Sequence, residues 1–109
     1  MLPQLIEVKM ASNVETTVKE TVKIKQPGLF KVVFHNDDVT PMDLVIEILR
    51  KIFDFPVDRA EELTLEIHNS GSAIAGVFIY ELAEQKAIEA TTMAKINGSP
   101  LRITVEEEK

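Results

Sequence analysis

The feature that most constrains the fold of this chain is the order of its strand-like and helix-like segments. Three short segments are typical of strands. The segment "LFKVVF" after Gly28 is rich in β-branched and aromatic residues, "AIAGVFIY" is almost wholly apolar, and residues 101–105 alternate between apolar and polar side chains. The apolar content of "AIAGVFIY" favours a central position in the sheet for this second strand.

Three helix-like segments fill the intervals between the strands. Before the first, Thr40 offers an N-cap hydroxyl, Pro41 suits the first helical position, and Asp43 adds an acid to the first turn. This helix must end before Pro56, and Gly71 is expected to end the second helix in the left-handed conformation. The third helix carries a stripe of small residues suited to close packing on a sheet: Ala83, Ala87, Ala90 and Ala94.

The order β-α-α-β-α-β predicts an α+β fold, a single small domain in which a three-stranded antiparallel sheet packs against helices. We place this domain at residues 28–109. Residues 1–27 contain no aromatic side chain, and Pro27 together with Gly28 forms a Pro-Gly break at their end. We therefore expect residues 1–27 to be a flexible N-terminal tail. The tail holds four Lys and three Glu, so the acidic charge of the chain belongs to the domain.

Composition argues against several classes of function. The chain has 109 residues and no cysteine, which excludes disulfides and thiolate metal sites and fits a reducing, cytoplasmic location. The net charge of −6 argues against nucleic acid as a partner, because phosphate binding requires a basic surface. No apolar run approaches the ~18 residues of a membrane span, and the first residues do not resemble a signal peptide. We therefore expect no membrane partner.

A polar run, "HNDDVTPMD", separates the first strand from the first helix. Its Asn36, Asp37 and Asp38 are open to two interpretations. They can be turn residues, whose short polar side chains bond to nearby amides. Because Thr40 already supplies the helix cap, the two aspartates are redundant for capping and can instead form an acceptor-rich patch for an ammonium group or a metal ion. His68 on the second helix contributes only if the fold brings it to this patch.

Four segments together resemble ClpS, the bacterial adaptor for N-degron substrates of the ClpAP protease. They are "NDDVTPMDLVIEIL", "DRAEELTLEIHNSGSAIAGVF", "ELAEQKA" and "SPLRITVE", and the resemblance covers residues 28–107 without a gap. It implies a monomeric binding protein with no enzymatic activity and no cofactor. Such an adaptor grips the free α-amino group and first side chain of a substrate and delivers it to the N-terminal domain of a ClpA-type AAA+ unfoldase.

The resemblance also implies roles for particular residues by position. Asn36, Asp37 and His68 would contact the α-amino group and the first peptide unit. A bulky hydrophobic first side chain (Phe, Leu, Tyr or Trp) would enter an apolar pocket. That pocket would be lined by Asp38, Thr40, Met42, Val45, Thr64, Ile67 and Leu101. Met42 would be the gatekeeper that excludes β-branched first residues.

Further expectations follow from matches and mismatches with the family. Glu81 and Lys86 match positions that contact the unfoldase, although a solvated helix face is the alternative interpretation of both charges. The tail matches a segment that the unfoldase engages during delivery. Thr64 stands where many members have methionine, and His35 stands where an aliphatic residue usually precedes the asparagine. Because Thr64 removes volume and adds a hydroxyl, the ranking among Phe, Leu, Tyr and Trp stays open.

Two alternatives from other classes of protein are weighed against the adaptor. A metal-dependent hydrolase could use His35, Asp37, Asp38 and His68, although their spacing does not require a coordination set. A structural or ribosomal interaction domain is the other, because the same element order resembles the C-terminal domain of the ribosomal stalk protein. That family lacks the N-D-D-x-T-P-M turn, so binding of peptides would distinguish the two.

Overall fold

The computed structural model describes residues 28–108, and the predicted tail lies outside this range. The six elements follow the predicted order. They are β1 (Leu29–His35), α1 (Met42–Phe53), α2 (Val57–Ser70), β2 (Ser72–Ile79), α3 (Tyr80–Ile96) and β3 (Arg102–Glu107). Both strand pairings are antiparallel. The predicted α+β class with a three-stranded antiparallel sheet packed against helices is therefore confirmed.

The strand order is β2-β1-β3, so β1 and not β2 is central. The prediction of a central position for the second strand was wrong. The apolar side chains of β2 do not all face the core, because Ile74 is 46% exposed and Ile79 is 53% exposed. The register between β1 and β2 shifts between Val32 and Val33, and this bulge leaves Ala75 without a paired residue on β1.

The core lies between the sheet and the helices. The largest fully buried side chains are Val32, Phe34, Ile48 and Leu49, which come from β1 and α1. Burial of each is worth about 1.5–3 kcal/mol. The predicted alanine stripe of α3 is buried throughout, and α3 packs on all three strands. Small side chains here allow the helix to approach the sheet closely.

Both ends of α1 depend on residues outside the helix. The prediction that Thr40 caps α1 was wrong, because the residue before the helix is Pro41 in an extended conformation and no side chain caps the helix. The Thr40 hydroxyl instead donates to the Asp37 carboxylate, an ionised acceptor and so a stronger one than a neutral group. At the other end, Asp54 adopts the left-handed conformation (φ 60°) before Pro56.

Helix α2 ends as its sequence predicts. Gly71 has φ 92°, and its N–H donates to the carbonyl of Ile67, which is the left-handed termination that glycine favours. The turn places His68 in the last turn of α2, close in sequence to the point where the chain enters β2. No helix within residues 28–108 combines the length and apolar character needed to cross a membrane.

Candidate ligand-binding site

A cavity of about 210 Å³ opens where the loop after β1, the start of α1, the second half of α2 and the start of β3 meet. It brings together all ten residues that were predicted to contact the substrate, together with His35. The lining residues are His35, Asn36, Asp37, Asp38, Thr40, Met42, Val45, Thr64, Ile67, His68 and Leu101. The structure therefore assembles the predicted set into one place, while the role of each residue stays a prediction.

One backbone hydrogen bond brings the polar rim together. The N–H of Asn36 donates to the carbonyl of Gly71 at 2.9 Å, which joins the end of β1 to the end of α2. Because His68 lies in the last turn of α2, this contact places its ring beside the loop that carries Asn36 and Asp37. Residues 32 positions apart in sequence thus share one rim.

Asp37 organises the loop that it belongs to. Its Oδ1 accepts hydrogen bonds from the N–H groups of Val39 and Thr40, both at 2.7 Å, and its Oδ2 accepts one from the Thr40 hydroxyl at 2.8 Å. Partial burial raises the pKa of Asp37, but the three hydrogen bonds together outweigh burial and hold its pKa below the ordinary value. The carboxylate is therefore ionised at neutral pH, and the turn interpretation of this residue is correct.

The negative charge of Asp37 has no ionic partner in the part of the chain that the structure describes. The ion pairs there are Lys51–Glu47 and Arg59–Glu62, and neither lies at the cavity. A carboxylate has about four lone-pair sites, and three are used in the loop. Asp37 can therefore accept a further hydrogen bond from a cation at the rim.

Three other polar side chains of the rim are uncommitted. Within residues 28–108, the side chains of Asn36, Asp38 and His68 form no hydrogen bond, and all three residues are exposed. Asn36 can both donate and accept, and a neutral imidazole offers one acceptor nitrogen. The rim thus presents several acceptors around one ionised carboxylate.

The interior of the cavity is apolar. Val45, Ile67 and Leu101 are 3–5% exposed, and Met42 stands at the edge with 39% exposure. Thr64 is buried, but its hydroxyl donates to the carbonyl of Ala60 at 2.8 Å, so its hydrogen is used within α2. An apolar interior with a polar rim suits a ligand that carries a hydrophobic side chain next to a charged group.

Ser99 was not predicted from the sequence, although it touches two residues of the cavity. Its Oγ lies 2.6 Å from the Thr40 Oγ1 and accepts a hydrogen bond from the N–H of Leu101 at 3.1 Å. The signal in the sequence is slight: a small hydroxyl residue between Gly98 and Pro100, two positions before a predicted pocket residue.

The tautomer of His35 follows from its neighbours. The Thr104 hydroxyl donates its single hydrogen to the Glu106 carboxylate at 3.0 Å, so that it can only accept from His35 Nε2, 2.9 Å away. In neutral His35, Nε2 therefore carries the proton and Nδ1 is the acceptor. His35 differs in this way from a simple aliphatic rim residue.

The two residues predicted to contact the unfoldase lie away from the cavity, on α3. Glu81 is exposed. Lys86 is not on a solvated face, because its Nζ donates to the carbonyl of Ile52 at 2.8 Å and lies 5.8 Å and 5.9 Å from the ring centres of Phe53 and Phe78. Lys86 thus has a structural role at the C-terminal end of α1 that the sequence did not indicate.

A larger and more open groove, of about 560 Å³, runs along the exposed side of α1 from Asp43 to Pro56. Its charged side chains are of both signs, and Glu47 and Lys51, one turn apart on α1, form an ion pair at 2.9 Å. Such exposed pairs contribute little and leave no concentrated charge for a ligand. Among residues 28–108, no group of three His, Asp or Glu side chains is arranged to hold a metal ion.

The fold and the cavity define a small binding module whose site joins an acceptor-rich rim to an apolar interior. The chain matches the family model "ATP-dependent Clp protease adaptor protein ClpS" over residues 25–104. It is 45% identical to the ClpS adapter of Vibrio atlanticus (strain LGP32) over 89 residues, which are 82% of this chain and 84% of that protein. The chain belongs to the ClpS family of Clp protease adaptors, which confirms the resemblance.

Other relatives agree. The ClpS adapter of Pectobacterium carotovorum subsp. carotovorum (strain PC1) is 41% identical over 92 residues, 84% of this chain and 87% of that protein. Among solved structures, Agrobacterium tumefaciens ClpS2 bound to L-phenylalaninamide superposes with a TM-score of 0.74 at 38% identity, over 76% of this chain and all of that one.

Proposed function

We propose that this ClpS family member binds N-degrons, recognising a free α-amino group and a bulky hydrophobic first residue (Phe, Leu, Tyr or Trp), and delivers them to the ClpAP protease. In this proposal the chain has no enzymatic activity of its own. The observation that carries the proposal is the ionised Asp37 at the mouth of an apolar cavity, with no ionic partner within residues 28–108. A cation joined to an apolar side chain complements both features.

The α-ammonium group has three N–H donors, and the rim offers matching acceptors. Asp37 supplies the negative charge, Asn36 accepts through its carbonyl oxygen and can donate to the first peptide unit, and neutral His68 accepts through one ring nitrogen. A hydrogen bond to a charged group contributes about 1.5–3 kcal/mol. The ammonium therefore accounts for a large part of the binding free energy.

The first side chain would enter the apolar interior. Val45, Ile67 and Leu101 would contact it directly, and Met42 at the edge would exclude a branched Cβ. The ligand of the related Agrobacterium protein, L-phenylalaninamide, combines a free α-amino group with an aromatic side chain. That chemistry supports the same pairing of rim and interior in this chain.

Delivery is the part of the proposal that rests on family membership. In this proposal Glu81 and Lys86 contact the N-terminal domain of a ClpA-type unfoldase, residues 1–27 are engaged during delivery, and the chain acts as a monomer in the cytoplasm. The ammonium group of Lys86 is already bonded to Ile52, so its contribution to such an interface would come through the aliphatic stem and the adjacent surface. Glu81, which is exposed, is free to form an ion pair.

The test is fluorescence anisotropy of a labelled peptide with an N-terminal phenylalanine, compared with the same peptide acetylated at its α-amino group. Acetylation removes the charge and leaves Asp37 facing a neutral amide. Loss of one partner of a desolvated charge pair costs about 2–5 kcal/mol, so we expect affinity to fall roughly 30-fold or more. Equal affinity for the two peptides would refute the proposed function.

A further inference from the structure

A continuous chain of hydrogen bonds runs behind the cavity and ends on its carboxylate. The N–H of Leu101 lies 3.1 Å from Ser99 Oγ, which is 2.6 Å from Thr40 Oγ1, which is 2.8 Å from Asp37 Oδ2. Ser99 and Thr40 are 59 positions apart in sequence. These hydrogen bonds thus join the loop before β3 to the loop before α1.

The direction of every hydrogen bond in this series is determined by the carboxylate at one end and the backbone N–H group at the other. An ionised carboxylate can only accept, so the Thr40 hydroxyl donates its single hydrogen to Asp37. Thr40 Oγ1 must then accept from the Ser99 hydroxyl, and Ser99 Oγ accepts from the Leu101 N–H. Bonds aligned in one direction polarise and strengthen one another.

Ser99 is itself held firmly. It is 7% exposed, and its N–H donates to the carbonyl of Ala94 at 2.9 Å. Gly98 precedes it with φ 74°, a conformation that favours glycine, and Pro100 follows with a restricted backbone. The turn between α3 and β3 therefore presents the Ser99 hydroxyl in one position.

We propose that Ser99 is a positioning residue for ligand recognition. Its hydroxyl holds the Thr40 hydroxyl against Asp37 at the rim, and its Oγ accepts from the N–H of Leu101, which lines the interior. Ser99 thereby fixes the position of the rim relative to the interior of the cavity. In this proposal Ser99 itself does not contact the ligand. Its effect on affinity rests on the proposed function, since Asp37 is the group that meets the ammonium. Its effect on Asp37 itself does not depend on that function.

The test compares Ser99→Ala with two other variants. Ser99→Thr keeps the hydroxyl, and Thr92→Ala removes an exposed hydroxyl from α3 away from the cavity. For Ser99→Ala we expect affinity for the Phe-initiated peptide to fall about three- to tenfold, the worth of one ordinary hydrogen bond. We also expect the Asp37 pKa, followed by carboxyl ¹³C NMR, to rise toward the ordinary value. Ser99→Thr should restore both quantities, and Thr92→Ala should change neither.

A folded Ser99→Ala variant with unchanged affinity and an unchanged Asp37 pKa would overturn the proposal. If that variant does not fold, the wild-type chain decides: the hydroxyl protons of Ser99 and Thr40 should exchange slowly enough to be seen by NMR, and rapid exchange of both would overturn it. Failure of the proposed function has a different signature, namely equal binding of free and acetylated peptides by the wild type. The NMR measurements still test Ser99 in that event.

Discussion

The two ends of helix α1 each lie beside a charged side chain, and the two charges are accommodated in different ways. At the C-terminal end, Lys86 donates to the carbonyl of Ile52 and lies over the rings of Phe53 and Phe78. At the N-terminal end, Asp37 accepts three hydrogen bonds from its own loop. The ammonium group of Lys86 thus has its partners within the fold: a carbonyl at a helix terminus and two aromatic rings.

Asp37 differs because its partners are neutral. Three neutral donors hold the carboxylate in place and lower its pKa against the effect of burial, yet no cation lies beside it in the described residues. The mouth of this apolar cavity thus carries a fixed charge that has no counter-ion among residues 28–108. Such an arrangement is expected of a site that binds a cationic ligand. We therefore expect Lys86 to contribute to stability, and we propose that Asp37 acts in recognition.

The largest expected effect comes from Asp37→Asn. The amide keeps an oxygen that can accept from the N–H groups of Val39 and Thr40, but it has no charge for the ligand ammonium. We expect affinity for a Phe-initiated peptide to fall roughly 30-fold or more, as for a lost charge partner, while the free energy of unfolding changes by less than about 1 kcal/mol. Anisotropy and urea unfolding measure the two quantities, and unchanged affinity would contradict the comparison.

The next prediction concerns Met42, the first residue of α1, at the apolar edge of the cavity. If Met42 excludes β-branched first residues by steric overlap, its truncation should relieve a cost of about 1–3 kcal/mol. Affinity for Ile-initiated peptides should then rise about tenfold, with a smaller change for Phe-initiated ones. Competition anisotropy with matched Phe and Ile peptides measures this, and the absence of any gain for Ile would show that Met42 is not the gatekeeper in this chain.

Lys86→Met should have the opposite profile to Asp37→Asn. The substitution keeps an unbranched side chain but loses the bond to Ile52 and the interaction with the two rings. We expect the free energy of unfolding to fall by about 1–2 kcal/mol, while affinity for peptides stays within twofold. Urea unfolding and anisotropy decide between the roles, and a loss of affinity in a variant of normal stability would remove the contrast between the two ends.

How far the sequence could predict these regions depends on the range of the interactions involved. The alanine stripe of α3 was predictable, because spacing along one helix determines which residues share a face. Thr40 was misassigned, because a capping hydroxyl accepts from a helix N–H group, whereas the Thr40 hydroxyl donates to Asp37 and its Oγ1 lies 2.6 Å from Ser99 Oγ. The expectation that the aspartates are not needed locally failed for Asp37, which accepts three hydrogen bonds within the loop. Asp37→Ala would therefore disturb the loop, and Asp37→Asn is the better probe.

Other features escaped prediction because they join distant parts of the chain. The position of β2 at an edge could not be deduced from its apolar content, since side chains such as Ile74 and Ile79 remain largely exposed. Ser99 and Lys86 carried no local pattern, and their partners come from other elements. The lining of the cavity was predicted by the family resemblance and not by spacing, because it draws on four separate segments.

The smallest expected effect near neutral pH is the dependence of affinity on pH. Affinity should fall above about pH 8, where a free α-amino group loses its proton. Because the pKa of Asp37 is lowered, its contribution is present above its ordinary value of about 3.9 and is lost only as the pH falls through the lower folded value. A loss of affinity between pH 5 and 7 therefore requires another group, and histidine is the side chain that usually titrates there.

Two histidines line the cavity, and their environments differ. His35 donates from Nε2 to Thr104, a bond that both the neutral and the charged ring can make, whereas His68 has no hydrogen bond within residues 28–108. A positive charge on the His68 ring would repel the ligand ammonium, so we expect a loss of affinity at acid pH to be much reduced in His68→Gln. If this loss survives in His68→Gln and disappears in the His35→Gln control, His35 is the histidine that meets the ligand.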